Sequence, residues 1–319
     1  MERVIQGLHH VTATVDDAQR DLDFFQGALG LRLVKQTVNF DNKGVYHFYY
    51  GDERGTPGTI WTTFPYRGKG VPVGAKGVGQ IEVTSFSVPA GSLEFWKGRL
   101  TALGVALGEE ASRFGEESLG FADPSGLRIE LVANARDRRA PWTGGDVGAA
   151  EAIRGLHGVT MVVASPAKTL ELMTGLLGFE RVGEAEARLR LAVGGDEPGR
   201  TIDLVTADDA PAGVNGLGTV HHVAMAVATA DDQLRLRGEL LRLGLSVTEV
   251  LDRKYFRSIY FREPGGVLFE AATVQPGFTV DEALPCLGQE LQLPADDEPR
   301  RAEIAAGLPS LTRPRSARG

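Results

Sequence analysis

The chain repeats one short signature four times, and this repetition limits the folds that it can adopt. A leucine, a glycine and an apolar residue end four candidate helices, with the glycines at Gly30, Gly104, Gly178 and Gly244. The interval between successive glycines is nearly constant, and a proline-containing turn follows each of them, at Pro57, Pro124, Pro198 and Pro264. The sequence therefore predicts four copies of one structural unit. The first copy has the longest interval from glycine to proline.

Each copy has the same predicted order of elements. An alternating apolar strand opens the copy, and a helix follows that the glycine ends. Three strand-like runs come next, which in the fourth copy cover residues 245–250, 257–261 and 267–272. Each copy is thus predicted to be a βαβββ unit, and the units are expected to pair because a single one leaves an apolar sheet face uncovered.

The expected fold class is α+β, with four βαβββ modules paired into two open, barrel-like domains. Residues 1–135 hold the first two modules and residues 153–276 the last two. Residues 136–152, which are charged at first and then rich in glycine, are predicted to be the linker. Residues 277–319 form a C-terminal tail, which is expected to pack on the body at first and to be disordered at its end.

Charge and cysteine content limit the partners and the kind of site. The net charge of −8 argues against nucleic acid as a partner, since nucleic-acid binders usually carry a basic patch. The sequence contains no long apolar run and no apolar signal-peptide core, so the protein is expected to be soluble and cytoplasmic, with a homo-oligomer left open. Cys286 is the only cysteine, which excludes an internal disulfide and a cysteine metal cluster; it is expected to pack in the tail.

Four of the six histidines form two pairs, and the two members of each pair are adjacent in the sequence. His9 and His10 lie in GLHHVT, and His221 and His222 lie in TVHHVA, each pair on a strand that opens a copy. An imidazole is costly to bury without a partner and is the commonest metal-ligand side chain. Because side chains alternate across a strand, only one member of each pair is expected to face the barrel interior.

The repeat register aligns these histidines between copies. His10 and Gly158 stand at the same distance before the helix-ending glycines of their copies, which are Gly30 and Gly178. The third copy keeps only His157, which matches His9. The register thus predicts that the third copy has no histidine at the position equivalent to His10.

The same register aligns the acidic residues of the closing strands. Glu270 and Glu130 stand at the same distance after the prolines of the fourth and second copies. The first copy offers Thr63 at this position, and the third offers Asp203, one position closer to its proline. Glu130 is interpreted as a relic or a structural residue rather than half of a second metal site, because its partner copy has no histidine at the required position.

These features together resemble the vicinal oxygen chelate superfamily, which includes glyoxalases, bleomycin resistance proteins and extradiol dioxygenases. More narrowly, the chain resembles ring-cleaving dioxygenases that open hydroquinones and chlorinated hydroquinones, from about residue 5 to about residue 310. The segments that carry this resemblance cover residues 7–12, 55–59, 113–116, 220–224 and 265–271.

The resemblance implies a metal site and an activity. It assigns His10, His222 and Glu270 as ligands of Fe(II), with Mn(II) as an alternative, and it requires the first copy to meet the fourth. In many extradiol relatives the histidines come from the third and fourth copies, so Gly158 is a departure from that pattern. Two histidines and one carboxylate form the facial triad of non-haem Fe(II) oxygenases, and the implied substrates are an aromatic diol and O₂.

Further candidates for catalysis follow from position. His221 and His9 flank the ligands, and the alternative for each is to pack or hydrogen-bond behind the sheet. Tyr260 resembles the tyrosine near the substrate hydroxyl in extradiol relatives. Arg253 and Tyr255 are candidates for contact with a phenolate or the cavity mouth, with a surface position as the alternative.

Two other functions are left open. A glyoxalase-like metal-dependent lyase or isomerase typically needs a second carboxylate, but Thr62 and Thr63 occupy its expected place. A non-catalytic protein of the same fold would bind a quinone or a drug without needing the metal triad. His47, on a predicted strand, is interpreted as a hydrogen-bonded strand histidine rather than a ligand.

Overall fold

The structure is a computed structural model that describes residues 4–313, apart from the side chain of Glu109. The disorder expected at the end of the tail falls mainly on residues outside this range. Four βαβββ units follow one another, as predicted. The first unit contains β1 (Ile5–Val15), α1 (Ala18–Leu22) with a π-helical extension (Asp23–Ala28), β2 (Arg32–Asn39), β3 (Asn42–Gly51) and β4 (Ile60–Pro65).

The other three units repeat this order. The second contains β5 (Gln80–Pro89), α2 (Leu93–Ala102), β6 (Leu107–Arg113), β7 (Glu116–Ala122) and β8 (Arg128–Asn134). The third contains β9 (Gly155–Val163), α3 (Ala167–Gly175), β10 (Glu180–Ala185), β11 (Arg188–Ala192) and β12 (Thr201–Thr206). The fourth contains β13 (Thr219–Val227), α4 (Ala230–Arg242), β14 (Leu251–Asp252), β15 (Arg257–Arg262) and β16 (Leu268–Thr273).

The repeated glycines end the helices as their positions predict. Gly30, Gly104, Gly178 and Gly244 have φ angles of 71°, 75°, 74° and 79°. A residue with a side chain is strained in this left-handed conformation, whereas glycine adopts it freely. The repeat signature is therefore a backbone requirement at the end of each helix.

One predicted strand is wrong. Residues 245–250 have no strand ladder and form only an isolated bridge between Val247 and Phe261. The strand at this position is the two-residue β14, at the outer edge of its sheet. Leu245, Val247 and Val250 instead pack against the core without a strand ladder.

The units pair differently from their order along the chain. One eight-stranded sheet has the order β14-β15-β16-β13-β1-β4-β3-β2, and the other has the order β10-β11-β12-β9-β5-β8-β7-β6. The first unit thus joins the fourth and the second joins the third. The expected division into residues 1–135 and 153–276 does not match these sheets, because β1 hydrogen-bonds to β13 rather than to β5.

The segment expected to be a linker lies between two units of the same sheet. Residues 136–152 contain neither a helix nor a strand. Arg139 nevertheless donates hydrogen bonds to the carbonyl oxygens of Gly58 and Leu156, at 2.8 and 2.7 Å, and Val147 is buried. The segment therefore ties the two sheets together instead of separating two domains.

The tail packs on the body, as expected. Five of its apolar side chains are buried, namely Phe278, Leu287, Leu293, Ile304 and Leu308. It ends in the short helix α5 (Arg301–Gly307). Cys286, however, is exposed, so its expected packing is wrong. Within the described residues, no helix is both long and apolar enough to cross a membrane.

Candidate metal centre

Two histidines and one glutamate from opposite ends of the chain converge at the middle of the first sheet. His10 lies on β1, His222 on β13 and Glu270 on β16, and all three are buried. Each offers a ligand atom within 4.8 Å of those of the other two. His10 Nε2 lies 3.2 Å from His222 Nε2, and Glu270 Oε2 lies 3.2 Å from the former and 2.8 Å from the latter. We refer to these three residues as the triad.

The sheet register explains why these residues meet. His10 pairs with Ala224 and Thr12 pairs with His222 across β1 and β13, so the two strands are related by an approximate twofold axis. Glu270 pairs with Ala224 on the neighbouring strand. The pairing of the first unit with the fourth thus places all three side chains at one point.

The neighbouring histidines hold the imidazoles in place. His9 Nδ1 lies 2.8 Å from His10 Nδ1, and His221 Nδ1 lies 2.7 Å from His222 Nδ1. Burial, together with the adjacent imidazole, lowers the pKa of both His9 and His221 to about 3. Both are therefore neutral and can accept the Nδ1 proton of the neighbouring ring, which leaves Nε2 of His10 and His222 free for a ligand.

Alternation along a flat strand does not describe the two histidine pairs correctly. The register skips His9 between Leu8 and His10, and it skips His221 between the paired residues on either side. Each outer histidine is the additional residue of a β-bulge, which bends the strand and changes where side chains point. His9 packs against Phe256, with ring centroids 4.9 Å apart, whereas His221 lines the cavity together with the triad.

Glu270 is held in a fixed orientation. Ser258 on β15 donates a hydrogen bond to its Oε1. Burial alone would raise the pKa of Glu270, but the imidazoles of His10 and His222 outweigh this effect and hold the pKa well below its usual range. The carboxylate is therefore ionised, with Oε2 directed toward the histidines.

The three donors fit a divalent metal ion. Glu270 Oε2 is buried and has no hydrogen-bond partner among the described residues, although His222 Nε2 is only 2.8 Å away. With the ring proton of His222 on Nδ1, its Nε2 carries no hydrogen and cannot donate to this oxygen. A buried carboxylate oxygen without a hydrogen bond is costly, and a cation shared with two imidazoles would remove that cost.

His10 and His222 of the triad line a cavity of about 540 Å³ between the first and fourth units, whereas Glu270 is fully buried. Both units contribute aromatic side chains to its wall, which is suited to a flat apolar ring with a few polar groups. The lining includes Thr12, Asn39, His47, Tyr49, Phe64, Tyr66, His221, Thr248, Arg253, Phe256 and Tyr260. We refer to this space as the triad cavity.

Two of the predicted catalytic residues share one side of the triad cavity. Tyr260 packs edge-on against His222, with ring centroids 5.5 Å apart, and Arg253 lies over the Tyr260 ring at 5.4 Å. Burial raises the pKa of Tyr260, and so does the charge of Glu270, so its hydroxyl stays protonated. Tyr255 is buried outside the cavity, where its hydroxyl donates to Asp281, so neither of its expected positions is correct.

His47 also lines the triad cavity, which the sequence analysis did not predict. It lies on β3, where its Nε2 is 2.9 Å from Thr62 Oγ1. The alternation of side chains along β3 does not show which face of this strand borders a cavity, because the cavity forms only when the first unit pairs with the fourth.

The carboxylate position of the first unit is Thr62 rather than Thr63. Thr62 pairs with Thr12 as Glu270 pairs with Ala224. Thr63 instead donates a hydrogen bond of 2.6 Å to the buried Asp21. The proline-based register was shifted by one position, because Thr62 stands one residue closer to Pro57 than Glu270 does to Pro264.

The equivalent region of the second sheet is filled with ion pairs. Glu130 pairs with Arg113, and Asp203 pairs with Arg190 at 2.7 Å. His157 Nε2 lies 2.9 Å from a carboxylate oxygen of Glu116. The charged side chains occupy the space that the triad cavity has in the first sheet, which agrees with the structural role expected for Glu130.

Comparison with known proteins places this architecture in a family. The chain matches the Glyoxalase/Bleomycin resistance protein/Dioxygenase superfamily over residues 7–131 and 155–271. It is 44% identical over 308 residues to a Bacillus subtilis (strain 168) protein named "Putative ring-cleaving dioxygenase MhqO", covering 97% of each chain. It is 37% identical over 297 residues to the chlorohydroquinone/hydroquinone 1,2-dioxygenase of Sphingobium indicum, covering 91% of each.

Solved structures agree with the fold. A crystal structure of a protein from Bacillus subtilis subsp. subtilis str. 168 superimposes with a TM-score of 0.93 at 43% identity, covering 98% of this chain and 99% of the other. Glyoxalase I from Zea mays shares the fold with a TM-score of 0.62 at 13% identity, covering 84% of this chain and 92% of the other. The chain therefore belongs to the Glyoxalase/Bleomycin resistance protein/Dioxygenase superfamily, within a group of full-length relatives that are named ring-cleaving dioxygenases.

Proposed function

We propose that this protein is an Fe(II)-dependent ring-cleaving dioxygenase that incorporates O₂ into hydroquinone-type aromatic diols, chlorinated ones included. The observation that carries this proposal is the triad at the wall of an aromatic cavity. The Sphingobium indicum relative is named for hydroquinone and chlorohydroquinone, which supports the same substrate class here.

The triad has the donor types of a non-haem iron site. His10 and His222 would each supply Nε2, and Glu270 would supply Oε2. Fe(II) held by these residues would leave positions open for a substrate oxygen and O₂ and would supply the electron transfer between them. Mn(II) has similar ligand preferences and is the alternative metal; the proposal assigns Fe(II) to this site.

The surrounding side chains supply orientation and proton transfer. The Tyr260 hydroxyl stays protonated and can donate a hydrogen bond to an oxygen that develops negative charge beside the triad. Arg253 lines the same cavity and carries a permanent positive charge, which favours a phenolate over a phenol. His221 is neutral and borders the cavity; because its Nδ1 accepts from His222, its Nε2–H can donate a hydrogen bond to a substrate oxygen.

His9 has a different role in this scheme. It is buried and does not line the triad cavity, so it acts on His10 and not on the substrate. Its Nδ1 contact at 2.8 Å fixes the tautomer and the ring orientation of that ligand. We therefore place His9 as a positioning residue, and His221, Tyr260 and Arg253 as the residues that face the substrate.

Oxygen uptake tests the proposal. The protein is reconstituted anaerobically with Fe(II) and mixed with air-saturated buffer and hydroquinone, chlorohydroquinone or catechol. The proposal predicts consumption of about one O₂ per diol, with loss of the aromatic absorbance. It fails if no diol consumes oxygen while a methylglyoxal–thiol adduct is converted with Ni(II) or Zn(II), which is the behaviour of the glyoxalase-like alternative.

A further inference from the structure

The approximate twofold axis relates each side chain around Glu270 to one in the first unit. Tyr260 pairs with Glu270, and Tyr49 pairs with Thr62 in the same way. Two residues earlier on each strand, Ser258 corresponds to His47. The first unit thus presents a histidine and a threonine at the positions where the fourth unit has a serine and a carboxylate.

The hydrogen bonds of His47 determine its tautomer. Thr62 donates its hydroxyl proton to Thr12 Oγ1 at 2.9 Å, so Thr62 Oγ1 is left to accept from His47 Nε2, also at 2.9 Å. Burial holds the pKa of His47 well below its usual value, as do His10 and His222, so the ring carries one proton. Nδ1 is therefore an unprotonated acceptor, and no described residue forms a hydrogen bond with it.

The surroundings of His47 fit an aromatic ligand. Its ring packs against Tyr49 and Phe64, with centroids 4.0 and 4.2 Å apart, and all three residues line the triad cavity. Its ring contacts are with these two residues and not with the triad imidazoles. His47 and the triad histidines are therefore separate points on the wall of one cavity, which two different polar groups of one ligand could reach.

We propose that His47 Nδ1 accepts a hydrogen bond from the second hydroxyl of the diol, when the first oxygen lies at the triad. His47 is then the residue that selects an aromatic ring with two separated hydroxyls over a ring with only one. A site that hydrogen-bonds a substrate hydroxyl rejects the analogue without it, because the protein group is left unpaired. This inference rests on the proposed function for the identity of the ligand.

Anaerobic binding tests the inference with the Fe(II)-loaded protein. Dissociation constants for hydroquinone and phenol are measured by titration calorimetry without oxygen. The wild type is expected to bind hydroquinone about tenfold more tightly or better. His47→Phe is expected to reduce this ratio to about two or less, whereas His47→Gln, which retains an acceptor oxygen, keeps part of it. His157→Gln, on the second sheet, is the control and keeps the wild-type ratio.

The outcomes separate this inference from the proposed function. A wild-type ratio near unity, or an unchanged ratio in His47→Phe, overturns the role of His47 even when the wild type consumes oxygen with hydroquinone. If the ratio collapses in His47→Phe but no diol consumes oxygen, His47 stands as a binding residue and the dioxygenase activity fails.

A second measurement uses the wild type alone, so it does not require any variant to fold. Long-range ¹H–¹⁵N spectra of the metal-free wild type, labelled at its six histidines, report which ring nitrogen carries each proton. The inference predicts the Nε2–H tautomer for His47. A proton on Nδ1 would make this atom a donor and would overturn the inference.

Discussion

Ser258 donates a hydrogen bond to Oε1 of Glu270, and this bond leaves Oε2 as the carboxylate oxygen that faces the two histidines. Both side chains are fully buried. A buried carboxylate without this donor could rotate, because its second oxygen would lose its partner. Ser258 is thus a positioning residue for the candidate metal ligand.

Replacing Ser258 with alanine should weaken metal binding. We expect Ser258→Ala to lower the affinity for Fe(II) by about 10–100-fold, since partners of metal ligands typically contribute this much. Competition with a chromogenic chelator measures the affinity. Ser85→Ala is a matched control, because Ser85 donates to Glu130, the equivalent glutamate of the second sheet, at 3.0 Å. Equal affinities for wild type and Ser258→Ala would show that the serine does not position Glu270.

Removing the Tyr260 hydroxyl should slow turnover. If this hydroxyl donates a proton or a hydrogen bond during ring opening, Tyr260→Phe should reduce kcat by about 10²–10⁴ while iron content stays normal. Steady-state oxygen uptake measures this change. Tyr46→Phe serves as the control, because the Tyr46 hydroxyl donates to the carbonyl oxygen of Pro309 outside the triad cavity. An unchanged kcat in Tyr260→Phe would remove this residue from the mechanism.

Asp21 should make stability depend on pH. It is buried behind the sheet, where its Oδ2 accepts hydrogen bonds from Tyr50 and Thr63 while Oδ1 has no partner among the described residues. Burial raises the pKa of Asp21 from 3.8 to about 8. The folded state therefore holds this proton over a range where the unfolded state has lost it, so the contribution of Asp21 to stability falls as pH rises from about 4 to about 8.

Asp21→Asn should remove this dependence, since an amide does not ionise. Between pH 6 and pH 8, the free energy of unfolding of the variant relative to wild type should rise by about 2–3 kcal/mol. Urea unfolding of the metal-free proteins at several pH values measures the difference. Asp23→Asn, on the exposed face of the same helical segment, should show no such change. Parallel pH profiles for Asp21→Asn and wild type would contradict the raised pKa.

The buried Lys35 should stabilise the packing of the C-terminal tail against the first unit. Its ammonium group has no exposure and contacts Asp281 at 2.6 Å and also Glu282. Lys35→Met would leave the Glu282 carboxylate without its cation, whereas Asp281 keeps Lys254 at 2.7 Å, so we expect the free energy of unfolding to fall by about 3 kcal/mol. Lys43→Met is the control, because Lys43 forms a more exposed pair with Asp297 of the same tail and should change stability by under about 1 kcal/mol. Similar losses in both variants would contradict a specific role for Lys35.

Local features of the fold were predictable because they depend on local chemistry. Each repeated glycine ends a helix at positive φ, and this requirement is visible in the sequence as a fixed signature. The first part of the tail was predicted to pack on the body, and it does so through Phe278 and Ile304 among others. The short length of the edge strand β14 was not predictable, because it depends on how many of its residues pair with the neighbouring strand.

The pairing of units could not be obtained from their order along the chain. Sequence proximity favours joining the first unit with the second, but β1 bonds to β13, which opens the last unit. Only the chemistry of the histidine pairs indicated this arrangement, because Gly158 leaves the third unit without the required side chain. The side chains required for a metal site thus indicated the pairing of the units better than the apparent linker did.

The side chains around the triad were the least predictable part. The positions of His9 and His221 depend on β-bulges, which arise from the register between two strands and have no signal in one strand alone. His47 lines the cavity for the same reason, because its strand belongs to a sheet that is completed by the fourth unit.

Iron content after anaerobic reconstitution tests the central claim, that residues from the first and fourth units together form the metal centre. Wild type, His10→Ala, His222→Ala and His157→Ala are loaded with Fe(II), desalted and analysed for bound metal. The account predicts about one iron per chain in wild type and in His157→Ala, and a severe loss in both other variants, since each removes one of three ligands. Normal iron content in His10→Ala, with loss in His222→Ala, would contradict a site shared between the two units.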